Sequence, residues 1–516
     1  MDQSKSLPHT HVQLSIIDAC QQNAYGPADP FREALDSESL PRYYILAMFG
    51  LAAPSVWEPY FDRIEDALKI AVEAAKESWS LILASHGPEG IDNPTIKLNQ
   101  SLVALGLIHY RAGCLRSAFE MTTASVKVAR AMRLNVEPGS SLTFKEQEER
   151  RRMFWHTYMQ DSIWLCARSR PRPAFNDDEC VVQVPMAEEV FRAGEWESML
   201  TGTDLIKWDF RTDGDIPPLT ITQYLVTILA RGSKHIYGDN CNDSEGDNQN
   251  PRSHQEPQPP WSSESEFAKM NSSLAGAKSS IDQSALLPAI RTFCNGVGIS
   301  RETSRYIILN TLFFDMCQCL VNHPFAVLME SKRFGERKLS IDFTLRVLSK
   351  RASPHARQLV EIVDQIHKRG DVHRTTMSFP FWIVLAGGIL SIEFHVEAQN
   401  GRMHAQTSGE MPASHQYFVR AVKVLERLAL DFPAAANMAI RLRDFHIHHA
   451  QVFAAFLSPT SSSRSEDEEL DPATEQTLWT LIDHELVGEP IPPPVPRLSD
   501  TSTCPSMDLG SEHSFY

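Results

Sequence analysis

Apolar side chains recur every three or four positions across two stretches of this chain, residues 42–236 and 285–457, and runs of alternating β-branched residues are scarce. That period is what one buried helix face produces, so the predicted fold is all-α, a large irregular helical bundle with negligible sheet. A helical hairpin is predicted over 98–112 and 115–134. Gly113 stands at its bend, and Ala118, Met121, Ser125, Val128 and Met132 form one stripe of the second arm. No second copy of this unit follows at a fixed spacing, so a solenoid is not expected. A later helix carries Ile308, Leu312, Met316 and Cys319 on one face and must stop at His323-Pro324, since proline cannot continue it. Further apolar segments at 359–366, 379–392, 415–430 and 434–456 complete the second half.

Two polar stretches break this pattern. Residues 238–284, rich in Asp, Asn, Ser, Gln and Pro, bury too little apolar area to offset their ordering entropy, and residues 458–516 begin acidic and end Pro-rich. The expected organisation is an N-terminal arm (1–40), a first helical half (41–237), a disordered insertion (238–284), a second helical half (285–457) and a disordered tail (458–516).

The longest apolar run, 379–392, is shorter than the roughly 20 residues a bilayer requires, and it contains Pro380 and the Gly387-Gly388 pair, so a buried core helix is expected and no membrane partner. The first twenty residues lack the basic start and apolar run of a secretory signal. Nine cysteines, odd in number and scattered, suit reduced core thiols. With 65 acidic and 49 basic residues, a net charge of −16, the surface repels a phosphate backbone, which disfavours DNA binding by this chain alone.

Enzymatic signatures are missing. There is no Gly-rich phosphate cradle, no Gly-x-Ser-x-Gly elbow and no His-Glu-x-x-His zinc helix. The run Asn176-Asp177-Asp178-Glu179 places its carboxylates side by side, whereas a magnesium-diphosphate site needs them one helical turn apart. His446 and His449 could share a helix face, with His448 between them, but no third ligand accompanies them. Cys317 and Cys319 point to different sides of a helix and cannot chelate one ion. No catalytic, cofactor-binding or metal-ligating residue is assigned, and no enzyme is expected.

The most distinctive segment is 145–185, KEQEERRRMFWHTYMQDSIWLCARSRPRPAFNDDECVVQVP. Trp155, Met159, Ser162 and Cys166 share a stripe, with Asp161 beside it. A carboxylate near an apolar seam needs a partner, and Arg151, Arg152 and Arg168 are at hand for a structural ion pair. Arg151, Arg152, Phe154, Trp155, Asp161, Arg172, Pro173 and the closing Pro185, with the acidic loop 176–179, resemble the fungal-specific transcription factor domain, the helical middle homology region of fungal binuclear zinc cluster regulators. Residues 129–134 and 322–325 are similar to its preceding and later helix ends, and the resemblance extends over about residues 40–456. Pro171 stands where that family usually has glycine.

The resemblance implies a nuclear regulator of transcription, with the transcription machinery or other regulators as partners and a homo- or heterodimer as its form. It also implies a six-cysteine zinc module N-terminal to the domain, whose basic helix reads DNA. Only Cys20 precedes residue 114, so no such module lies in this sequence. Zinc is then expected only with a cluster outside the chain, and DNA contact only through that module or a partner.

Two further features bear on function. In 465–489 an acidic run precedes Asp471 as a helix cap, Pro472, and then Leu478, Trp479, Leu481 and Ile482. These features suit either an activation segment that folds into a coactivator groove or a last helix docked on the body. The alternative function is a small-molecule-sensing receptor or co-regulator, with Trp155, Trp164, Phe381 and Trp382 as lining or, as aromatics at helical spacing more often are, as core. A helical lyase has the weaker claim.

Overall fold

Thr143 accepts a hydrogen bond from the Glu146 backbone N–H while the Glu146 carboxylate takes the Thr143 N–H in return, a capping box that starts the helix Phe144–Trp164 at the segment of greatest interest. It is one of a long series of helices in the computed structural model, which describes residues 40–55, 60–89, 91–169, 173–195, 199–207, 216–238, 258–281, 283–295, 301–334, 337–368, 379–399, 411–458 and 469–491. In chain order they are α1 Arg42–Ala52, α2 Ile64–His86, α3 Ile96–Arg111, α4 Leu115–Ala131, α5 Phe144–Trp164, α6 Glu188–Ala193, α7 Gly202–Lys207 and α8 Pro218–Gly238. Then come α9 Glu266–Ser279, α10 Leu286–Asn295, α11 Arg301–Val321, α12 Pro324–Ser331, α13 Arg337–Val347, α14 Ser353–Lys368, α15 Phe379–Gln399, α16 Ala413–Leu428, α17 Ala434–Asp444, α18 Ala450–Phe456, α19 Pro472–Ile482 and α20 His484–Val487. Among the described residues there is no β-strand; one isolated backbone bridge joins Gln183 to Thr201. The all-α expectation holds.

Helices α3 and α4 pair as the predicted hairpin, with Gly113 at φ +79°, a conformation that disfavours a side chain, and with Ala118, Ser125 and Val128 fully buried. Helix α11 buries Ile308, Leu312, Met316 and Cys319 and gives way at Pro324, which opens α12. Side chains of both halves, from Val103 to Val487, share one core, so 41–237 and 285–457 are packed as a single body around α8, α11 and α15. Two smaller clusters lie between α1, α2, α3 and α4.

Helix α15 is longer than its apolar run. It and the stretch Thr303–Ser331 are long and apolar enough to cross a membrane, and both are largely buried inside the body. Residues Phe379 to Glu393 are all buried, against α14, α16, α17 and α18.

The structure shortens the predicted insertion. Residues 239–257 lie outside the described residues, but 266–279 form α9, capped by Ser265 and buried through Phe267, Met270, Leu274 and Ala277 against α8 and α11. Their three-and-four spacing is present in the sequence, hidden by the polar composition on its N-terminal side. The predicted tail is also partly folded, through α19 and α20, while 459–468 and 492–516 lie outside the described residues, as do 1–39 of the arm.

Candidate functional site

Glu148, Arg151, Arg152 and Trp155 lie at positions i, i+3, i+4 and i+7 of α5 and so form one stripe, and that stripe grips the segment that follows the acidic loop. Glu148 is fully buried. Its carboxylate accepts from Arg151 Nη1 at 3.3 Å, Arg152 Nε at 2.9 Å and the Met186 backbone N–H at 3.0 Å. Arg151, 1% exposed, also donates through Nε and Nη2 to Glu137, whose other oxygen takes the Gln183 N–H at 2.9 Å. Arg152 reaches Glu188 at 2.5 Å, and the Trp155 indole N–H donates to the Gln183 carbonyl at 2.8 Å. Two guanidiniums, the carboxylates of Glu137 and Glu148 and an indole thus hold residues 183–188, with Glu188 of the held segment pairing Arg152.

The three arginines expected beside Asp161 are engaged elsewhere. Its carboxylate accepts the Ala174 backbone N–H at 3.0 Å, while Arg151 and Arg152 serve Glu137, Glu148 and Glu188, and the Arg168 guanidinium lies 4.9 Å above the Trp479 ring. The Ala174 contact forms because the chain turns back at Pro173 and brings Phe175 edge-on to Phe154, 5.2 Å between centroids. Pro185 is buried; Arg172 lies outside the described residues. The acidic loop is a short 3-10 turn, Asp177–Glu179. Glu179 caps it by accepting the Asn176 N–H and also faces Arg130 at 3.5 Å.

The C-terminal segment meets the far end of the same helix. Leu478, Trp479, Leu481 and Ile482, candidates for an activation segment, are buried, so the docked arrangement is the one adopted. Trp479 stands edge-on to Phe325 at 4.9 Å. At the corner between α19 and α20, His484 is sandwiched between Trp164 (4.8 Å) and Phe381 (4.5 Å), with its Nε2 3.2 Å from the Tyr110 hydroxyl. Its backbone N–H donates to the Cys166 carbonyl at 2.7 Å, the Asp483 carboxylate accepts the Arg168 N–H at 2.8 Å, and Tyr237 donates its hydroxyl to the Ile482 carbonyl. Burial pushes His484 down to about 4, which keeps the ring neutral, and raises Asp483 against the pull of three backbone N–H groups.

The remaining candidates are separated by the fold. Trp155, Trp164, Phe381 and Trp382 are buried among neighbouring rings, Trp382 against Phe313 at 5.1 Å and Trp155 against Phe154 at 5.4 Å, as core aromatics. Cys317 and Cys319 are buried thiols whose pKa values burial raises. His446 joins neither His448 nor His449. It stacks on Phe418 at 4.0 Å, takes Ser391 at 2.8 Å through Nδ1, and has His395 and His415 at 4.9 and 5.7 Å; burial and these two imidazoles hold it down at about 4. His395 and His415 come from α15 and α16, remote in sequence, so no local spacing announced this cluster. His448 faces Asp444, and His449 faces Thr474 of α19.

Among the described residues no group of three or more His, Cys, Asp or Glu side chains is arranged to hold a metal ion. The described cysteines, Cys114 exposed and Cys166, Cys180, Cys317 and Cys319 buried, do not fit a binuclear zinc cluster, which needs six thiolates paired across two ions.

No curated protein and no solved structure matches the chain. A family model, that of the fungal specific transcription factor domain, matches residues 9–199, a span that opens inside the arm and covers α1 to α6, including the α5 stripe, the acidic loop and Pro185. Over those residues the chain carries the fungal specific transcription factor domain, a regulatory domain of transcription factors.

Proposed function

We propose that this chain is a nuclear regulator of transcription that works through protein contacts made by its helical body. The observation that carries the reading is the domain match over residues 9–199. It is supported by the use of the domain's charged motif: Glu148, Arg151 and Arg152 are spent on holding residues 183–188 and leave no reactive pair facing solvent. An acidic surface with net charge −16 suits contact with basic regulators better than with a phosphate backbone. DNA is reached through a partner or through a zinc module outside this sequence. The proposed partners are the transcription machinery and other regulators, including a second copy of the chain.

Chromatin occupancy mapping together with co-purification tests this. Enrichment at promoters and recovery of a DNA-binding regulator are expected; a protein confined to the cytosol that enriches no promoter and recovers no regulator overturns it.

A further inference from the structure

We propose that the exposed ridge of α17 and of the π-turn that follows it, residues 445–449, is a self-complementary docking surface on which a second copy of this chain binds antiparallel. The inference rests on the proposed reading, in which a second copy is among the partners, and adds where that copy sits and which residues it meets.

The first observation is an apolar stripe that the core does not use. Met438, Ala439, Leu442, Phe445 and Ala450 form the buried face of this stretch. Outside that face, Ile440 is 49% exposed and Ile447 65%, seven positions apart and so on one line of the helix surface. The turn before α17 adds Leu430 at its near end, also exposed. Of the ten large apolar side chains exposed among the described residues, these three and Val452 all fall within 430–452. Single exposed apolar residues are ordinary, whereas a concentration on one edge marks a contact. The described C-terminal residues pass beside the ridge, where Asn437 and Arg441 donate to the Gly488 and Glu489 carbonyls at 3.5 and 3.3 Å, and they leave it uncovered.

Charge decides what covers it. Between the two isoleucines stand Arg443 and Asp444, with side chains 43% and 57% exposed. A two-fold axis midway between positions 443 and 444 sets Ile440 of one copy against Ile447 of the other. The same axis sets each Arg443 against the other copy's Asp444, so one patch supplies both sides of the contact. Parallel pairing would instead oppose Arg443 to Arg443 and Asp444 to Asp444, like charges at close range. Arg443 donates through Nη2 to Glu426 of α16, which holds the guanidinium on this edge and uses only part of its donor set. On the other flank His448 lies 3.7 Å from Asp444. One helix from each copy makes a contact smaller than the roughly 800 Å² per partner of a standard complex, so the association is weak.

Sedimentation equilibrium of the purified full chain tests the surface. A monomer–dimer equilibrium with a dissociation constant on the order of 10 μM is expected. Ile440→Asp and Ile447→Asp each set a charge against an apolar side chain of the other copy and should weaken it at least about tenfold. Their melting temperatures, taken at concentrations where the chain is monomeric, should stay at the wild-type value, since both side chains are exposed. Arg443→Asp alone and Asp444→Arg alone should each be monomeric, while a mixture of the two variants restores a dimer, because every facing pair is then opposite in charge. A wild type that stays monomeric up to about 100 μM overturns the proposal, as do isoleucine variants that dimerise like the wild type or a mixture that fails to pair. A monomeric wild type whose recovery of a different regulator is abolished by Ile447→Asp would give the ridge to that regulator instead. A dimer of the expected kind in a chain that enriches no promoter would remove the proposed function and leave the interface; promoter enrichment by a strictly monomeric chain would do the reverse.

Discussion

Arg151 sits 1% exposed between Glu148 and Glu137, and its fork geometry lets one planar group donate in two directions. Truncating it leaves Glu148 buried with half of its compensation gone. Arg151→Ala is expected to cost about 3–5 kcal/mol in chemical denaturation, and Arg151→Lys to recover only part of that, because a point charge cannot reach both carboxylates. A second residue gives a pH signature. Burial raises Asp315 to about 6, only partly offset by His355 at 2.7 Å. The folded state therefore holds this proton more tightly than the unfolded chain, and the stabilisation is complete below pH 3.8 and lost as pH rises through about 6. Asp315→Asn cannot ionise, so stability measured from pH 4 to 7 should show the variant gaining on the wild type across that window; a pH-independent difference would count against it. The α5 stripe of Glu148, Arg151, Arg152 and Trp155 is legible as a helix face in the sequence. Which carboxylates it meets is not, because Glu137 and Glu188 reach it from either side of the helix through loops whose paths depend on tertiary packing.

Helix α15 shows at the next scale how closely the elements are fitted. A Cβ at Gly387 would lie 2.6 Å from Leu442 of α17, whereas at Gly388 the nearest neighbour, Leu481, is 3.9 Å away. Gly387→Ala is expected to destabilise by about 1–3 kcal/mol through overpacking. Gly388→Ala should be neutral or stabilising by up to about 1 kcal/mol, since the helix loses a glycine without a clash. Paired thermal melts check the opposite signs. Element types and many boundaries are legible here: the stop before Pro324 and the bend at Gly113 among them. The run 434–456 reads as one helix, yet residues 445–449 form a π-turn between α17 and α18. The extra residue keeps Leu442, Phe445, Ala450 and Phe453 all buried while His446 reaches Ser391 and Phe418. That register is imposed by α15 and α16, so no local pattern could reveal it.

In the whole molecule the C-terminal segment rests on both halves, touching Tyr110, Trp164 and Tyr237 of the first and Phe325 and Phe381 of the second. Trp479→Ala with Leu481→Ala removes two buried side chains from this junction and is expected to lower stability by roughly 3–5 kcal/mol or more, read as a fall in melting temperature. An unchanged melting temperature would mean that the helix does not rest on the body in solution. The acidic-hydrophobic pattern of 465–489 is plain in the chain and fits a docked helix and a partner-seeking one equally, because amphipathicity shows that a face must be covered and is silent about what covers it. Helical class, hairpin, stop signals and the kinship of residues 145–185 follow from spacings of a few residues and are carried by the sequence alone. The fusion of the halves, the refolding of 266–279 from apparent insertion into core, the gathering of His395, His415 and His446, and the seat of Trp479 depend on side chains tens to hundreds of positions apart. Only packing brings those together, since burial is settled by which apolar faces compete for one another once the chain has collapsed.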